Sequence, residues 1–244
     1  MTNELKDKIC LVTGAAKGIG RAIAERLAQG GAIVYANDLP ACDMSWTDVF
    51  DGDMRPLPFD ICNFDEAKQA VLTIRKEQGR IDVLCNNAGL VSYEPMMLID
   101  FEKMRRMMEV NVYALIHLMQ LVSKLMIRQK SGSIVNMSSL VGVKGAGGQL
   151  AYSATKGAVA AITKSASKEL AEQGIRVNAV APGMVATERF MGEIAGRFEE
   201  RLKSVRMGRF AEPDDVAEAF AFFASDRSKY ITGQVLEVEG SFAI

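Results

Sequence analysis

Seven short apolar runs, separated by longer stretches with helical spacing, constrain this chain more than any other feature. The runs are KICLVTG (8–14), AIVYAND (32–38), PLPFD (56–60), IDVLCNN (81–87), SIVNMSS (133–139), IRVNAVAPG (175–183) and VLEVEG (235–240). Between them lie segments such as 19–29, where Ile19, Ile23 and Leu27 recur every four residues and Gly30-Gly31 supplies the stop. Strand, helix and strand repeated about six times predicts right-handed crossovers and a parallel sheet. Several runs are continuously apolar, as strands covered on both faces are. The expected fold class is therefore α/β, a doubly wound parallel sheet of about seven strands with helices on both faces. No linker, repeat or low-complexity tract interrupts the 244 residues, so 1–244 is expected to form a single domain.

The charge balance narrows the partners. With 29 basic and 30 acidic residues the net charge is −1, and no basic patch marks the sequence for nucleic acid or an anionic membrane. A small-molecule substrate fits better. The opening MTNELKDKICLVTGAAKG mixes acids and bases before a short apolar run, unlike a signal peptide, and no apolar run stands out as long enough to span a bilayer. Cys10, Cys42, Cys62 and Cys85 show no CxxC spacing and have no histidine cluster beside them, so no metal site is expected and a reduced, cytoplasmic setting is. Cys10 and Cys85 lie inside strand-like runs and read as core filler. The single histidine, His117, sits among Leu115, Leu118 and Leu121 and reads as a core or interface residue.

In such a sheet, ligands bind beyond the carboxyl ends of the strands. The first of those ends reads TGAAKGIG, with Gly14, Gly18 and Gly20 opening a helix. Glycines there permit a tight turn and close approach of backbone to a ligand, and the helix N-terminus offers free N–H groups to a pyrophosphate. A plain turn is the alternative, since the spacing is GxxxGxG. Asp38, closing the second strand, stands where a carboxylate accepts from the adenosine ribose hydroxyls and repels the extra phosphate of NADP; an ordinary turn residue in NDLP is the alternative. Lys17 is either a partner for a 2′-phosphate or a solvated charge. The fourth, fifth and sixth strands end in NNAG, NMSS and PGMVAT, gathering small hydrogen-bonding residues at one sheet edge.

Taken in order, TGAAKGIG, NNAG, Asn111 of EVNVYAL, Ser139 of NMSSLVG, Tyr152 and Lys156 of YSATK, and PGMVAT resemble the short-chain dehydrogenase/reductase family over essentially the whole chain. The resemblance is to its compact branch, near 3-oxoacyl-thioester reductases and hydroxysteroid dehydrogenases. It implies a Rossmann fold, a homotetramer pairing the long helices around 101–130 and 152–172, and hydride exchange between a nicotinamide and a secondary alcohol or ketone. By the same resemblance, Tyr152 exchanges a proton with the substrate oxygen and Ser139 holds that oxygen. Lys156 lowers the tyrosine pKa and binds the nicotinamide ribose, and Asn111 anchors a relay water. Gly14, Lys17, Gly18, Ile19 and Gly20 would cradle the pyrophosphate and Asp38 the ribose. Asp60 and Ile61 would border the adenine, with Asn87, Ala88 and Gly89 nearby. Pro182, Gly183, Val185 and Thr187 would seat the nicotinamide. NAD is the cofactor expected, ahead of NADP.

Two segments depart from the family's pattern. LPACDMSWTDVFDGDMRPLPF, between Asp38 and Asp60, carries proline and glycine where a full helix is usual, so an irregular crossover is expected. Ser241 replaces a common glycine near the C-terminus. Residues 184–209 are expected to form a mobile helical substrate lid, with Met184, Phe190, Met191 and Phe198 as substrate contacts or as ordinary packing. Six basic residues against four acidic ones there hint at an anionic substrate. For docking of an acyl carrier protein, Lys130 stands at one usual basic position but Gln173 at the other. An NADPH-dependent 3-oxoacyl-thioester reductase is the enzyme alternative, which Asp38 opposes. A dinucleotide-binding sensor without catalysis is the other, opposed by the complete Asn111, Ser139, Tyr152 and Lys156 set.

Overall fold

The computed structural model describes residues 3–193 and 198–242. Among them are seven parallel strands: β1 (Ile9–Thr13), β2 (Ile33–Asn37), β3 (Met54–Pro56), β4 (Val83–Asn86), β5 (Gly132–Met137), β6 (Ile175–Pro182) and β7 (Val235–Val238). They stand in the order β3-β2-β1-β4-β5-β6-β7. The helices are α1 (Gly18–Gln29), α2 (Phe64–Gln78), α3 (Phe101–Met108), α4 (Leu115–Gln129), α5 (Leu140–Lys144), α6 (Leu150–Leu170), α7 (Glu188–Glu193), α8 (Phe198–Leu202) and α9 (Pro213–Ala224). The expected Rossmann architecture is present; most strand runs are shortened at their ends, while the third strand lies at Met54–Pro56 and overlaps the expected 56–60 run only at Pro56.

Alternation along β1 explains its unbroken apolar character. Cys10 and Val12 join one core cluster with Ile23 and Leu27 of α1 and Phe220 of α9. Ile9 and Leu11 join the other, with Val71 and Ile74 of α2, Leu118 and Val122 of α4, and Val159 of α6. Both faces of the sheet are therefore dry, and burial of these side chains is the main force holding the three layers together. The two interior cysteines fill this core, as expected, and the four cysteines are unpaired.

The crossover from β2 to β3 is irregular. A single 3-10 turn at Ser45–Val49 replaces a helix, packing Trp46 and Thr47 inward. Residues 101–129 run as one apolar helical rod, long enough by length and composition to cross a bilayer. Half of its most apolar window is buried within the protein, where Leu118, Met119, Val122 and Met126 face the sheet, so its apolar length is accounted for by core packing.

His117 lies against Phe64, rings stacked with centroids 3.9 Å apart. Burial, and then Lys124, lower its pKa. It is a packing residue between α2 and α4, on a face the chain leaves half open.

Candidate active site

The strand order reverses its direction of growth between β1 and β4, and the crevice opens there, at the carboxyl ends. Gly14 (φ +69°) and Gly18 (φ +58°) adopt backbone that side chains disfavour. Gly20 is needed for space: a Cβ there would lie 1.9 Å from the Gly14 carbonyl oxygen. The first turn of α1 carries no acidic residue and Lys17 makes no side-chain cap, so its N-terminal N–H groups stay available to an anion. Thr187, from the far side of the crevice, comes closest to Gly18, 3.6 Å from a Cβ built there.

Side-chain bonds lock the neighbouring strand ends onto this loop. Asn87 Nδ2 donates to the carbonyls of Thr13 (2.9 Å) and Gly14 (3.1 Å). The Thr13 hydroxyl accepts from the N–H groups of Asn87 and Ala88, both at 3.1 Å. Asp38 closes β2 and accepts from Ala16 N–H at 2.9 Å, so its carboxylate sits against the glycine loop. Asp60 accepts from Cys62 N–H at 2.9 Å, and Arg106 stands 3.8 Å from it. Ile61, Val185 and Ile19 turn their side chains into the apolar clusters, so these three offer a cofactor backbone. Pro182 closes β6, and Gly183 packs against Glu239, 3.0 Å from its Cβ if a side chain were added.

Ser139, Tyr152 and Lys156 lie at the same edge. Ser139 follows β5 and precedes α5, while Tyr152 and Lys156 occupy the first turns of α6. Lys156 is 3% exposed; its Nζ donates to Met137 O at 2.7 Å and lies 5.9 Å from the Tyr152 ring centre. Burial lowers its pKa to about 8, which leaves it mainly a cation at neutral pH. Tyr152 moves the other way. Burial pushes its pKa up to about 12, Tyr93 adds to that, and a hydrogen bond with Ser139 and the Arg189 guanidinium pull it down. In the chain by itself desolvation outweighs the Ser139 hydrogen bond and the Arg189 charge, and Tyr152 rests as a protonated acid.

Asn111 falls within a wide π-helical turn, residues Glu109–Ala114, between α3 and α4. Such turns are frequent at functional sites. Its Oδ1 accepts from Leu90 N–H (2.8 Å), and its Nδ2 donates to Leu90 O (2.8 Å) and the Thr155 hydroxyl (3.0 Å). The amide thereby clamps the loop after β4 onto α6. Gly89 lies between: a Cβ there would be 3.2 Å from Asn111 Oδ1 and 3.4 Å from Lys156 Nζ. The sequence-predicted residues therefore converge on one crevice.

A nicotinamide dinucleotide fits these residues: glycines that tolerate no Cβ, an uncapped helix N-terminus, and a carboxylate at the ribose end. Similarity to known proteins agrees. The family described as enoyl-(acyl carrier protein) reductase matches residues 14–242. A 3-oxoacyl-[acyl-carrier-protein] reductase of Thermotoga maritima is 38% identical over 244 residues, covering 98% of this chain and 99% of that protein. The chain belongs to the short-chain dehydrogenase/reductase family. Another member, the 3-oxoacyl-[acyl-carrier-protein] reductase of Synechocystis sp., is 37% identical, covering 98% of both chains. A solved structure described as a putative NAD(P) dependent gluconate 5-dehydrogenase from Beutenbergia cavernae with bound NADP superposes with TM-score 0.92 at 32% identity, covering 98% of each chain. This protein is accordingly an oxidoreductase of that family with a dinucleotide cofactor.

Within the family frame, sequence reasoning missed Thr13, Thr155, Tyr93 and Arg189. The two threonines carry a signal, since each sits inside a motif, one before the glycine loop and one between Tyr152 and Lys156. Tyr93 and Arg189 carry none, because they act on the phenol from separate segments, the loop after β4 and α7. Of the expected lid, residues 194–197 lie outside those described. Phe190 and Phe198 pack edge-on against Phe210, at 5.4 and 5.2 Å, and Met184 and Met191 join the same small cluster. These side chains take the packing role.

Proposed function

We propose that this protein interconverts a secondary alcohol and a ketone, preferring NAD over NADP. The observation that carries the proposal is the grouping of Tyr152, Ser139 and buried Lys156 beside the glycine-loop crevice. A bound nicotinamide supplies the hydride donor or acceptor. In the reducing direction the protonated Tyr152 gives its proton to the substrate oxygen while Ser139 orients that oxygen. In the oxidising direction the phenolate must form, and the Lys156 ammonium and the Ser139 hydroxyl favour it. Asn111 holds Leu90 and Thr155 in register with this group, and its relay role belongs to the same proposal.

NAD preference rests on Asp38, whose carboxylate follows β2 and is held against the glycine loop by Ala16 N–H. A homotetramer fits the apolar side chains that α4 and the turn before it leave outside: Tyr113, Ile116 and Ile127 are each more than a third exposed. The reading as a 3-oxoacyl-thioester reductase is favoured by the names of the relatives. Lys130 and Gln173 do lie together, Gly174 packing against the Lys130 carbonyl, but only one of the pair is basic.

The test is absorbance at 340 nm with NADH and NADPH against a panel of ketones and 3-oxoacyl thioesters. Tyr152→Phe is expected to lower kcat about a thousandfold and leave cofactor affinity unchanged. Retained turnover in that variant removes Tyr152 from the chemistry. Tight cofactor binding with no turnover on any substrate returns the sensor alternative.

A further inference from the structure

The segment after β2 does more than replace a helix. In Asp38-Leu39-Pro40-Ala41-Cys42, the Cys42 N–H donates to the Leu39 carbonyl at 2.9 Å, closing a β-turn with proline at its second position. Proline presets the backbone for that position, so the turn is built into the sequence. Its effect is to fold Cys42 back onto Asp38, where the thiol donates to Oδ1 at 3.3 Å. Leu39 N–H donates to the same oxygen at 2.8 Å, and Ala16 N–H to Oδ2 at 2.9 Å.

We propose that Cys42 is a positioning residue for cofactor choice: it pins the Asp38 carboxylate against the ribose site and thereby strengthens discrimination against a 2′-phosphate. A carboxylate has about four acceptor positions, and three are used here from within the protein. The remaining one, on Oδ2, is left for a ribose hydroxyl. Orientation matters because exclusion of NADP depends on the negative charge staying in place; a loosely held aspartate swings away from an incoming phosphate. Lys17 sharpens the need. It is exposed at the glycine loop and within electrostatic reach of the Cys42 thiol, so a cation that suits a 2′-phosphate belongs to the same neighbourhood as the thiol that holds Asp38. Burial and then Asp38 raise the Cys42 pKa, so the thiol keeps its proton and acts as the donor.

The inference rests on the proposed NAD preference, and one experiment separates the two. Dissociation constants of NADH and NADPH are measured by nicotinamide fluorescence for the wild type, Cys42→Ala and Cys42→Ser, with Tm recorded for each. The wild type is expected to hold NADH more tightly. Cys42→Ala is expected to narrow the NADH-to-NADPH ratio about three- to tenfold at unchanged Tm, the scale of one ordinary hydrogen bond, as suits a weak thiol donor. Cys42→Ser, which keeps a donor, should restore most of it. A wild type selective for NADH with an unaltered ratio in Cys42→Ala overturns the role of Cys42 and leaves the preference standing. A wild type that holds NADPH more tightly overturns both.

Discussion

A methyl group placed on Gly20 would meet the Gly14 carbonyl at 1.9 Å, whereas one placed on Gly192 or Gly208, across the cleft, meets nothing within 4 Å. The contrast runs through the whole site. On the cofactor side, the glycine loop, Asp38 and Asn87 are fixed by backbone hydrogen bonds to buried strands. In the segment after β6, position is set by a few aromatic rings around Phe210 and by short main-chain ties, such as Ala186 N–H to Ala211 O and Met207 N–H to Gly240 O. One half is specified by main-chain geometry, which a common cofactor requires. The other is specified by side-chain packing, which can vary with the substrate without disturbing the sheet.

Gly20→Ala tests that contrast hardest. The close approach leaves no room for Cβ, so cofactor affinity should fall more than about a hundredfold, measured by NADH fluorescence titration. Near-normal binding would mean the loop is as adaptable as the lid. Phe210→Ala probes the other half. Removing a 5% exposed ring from the lid cluster should raise the substrate KM about tenfold and shift the NADH dissociation constant less than about twofold. A comparable loss of cofactor affinity would show the halves are one cooperative unit.

Lys156→Met is read through stability, where the expected effect is the smallest of the three, and tests what burying this cation costs. The folded pKa near 8 lies below the ordinary 10.5, so between those values the unfolded chain binds more protons and wild-type stability rises with pH. Below pH 8 the penalty of the buried cation is fully present. Lys156→Met should therefore abolish turnover yet raise Tm by roughly 2–4 °C at pH 7, with the gain shrinking from pH 8 to 10.5. A Tm that falls at pH 7 would mean that the bond to Met137 O outweighs burial of the charge.

Much of the site was legible before any coordinates. The GxxxGxG spacing, the i,i+4 pair Tyr152 and Lys156, and the polar strand ends all state local requirements: a turn without Cβ, one helix face, one sheet edge. The irregular crossover was legible in its proline and glycine. Hidden were the π-helical turn at Asn111, whose residues read as ordinary helix, and the direction of the Tyr152 pKa. That direction depends on how much water the folded chain removes from the phenol, which spacing along α6 does not record.

By itself the sequence determined the order of the strands and helices and the layered architecture, because periodicity and backbone constraints act over a few residues. Tertiary structure alone decided that Arg189 and Tyr93 act on Tyr152 and that Phe190 and Phe198 pack on Phe210. Such contacts arise between segments far apart in sequence whose positions are sums over the whole packed sheet, and no short window of residues contains that sum.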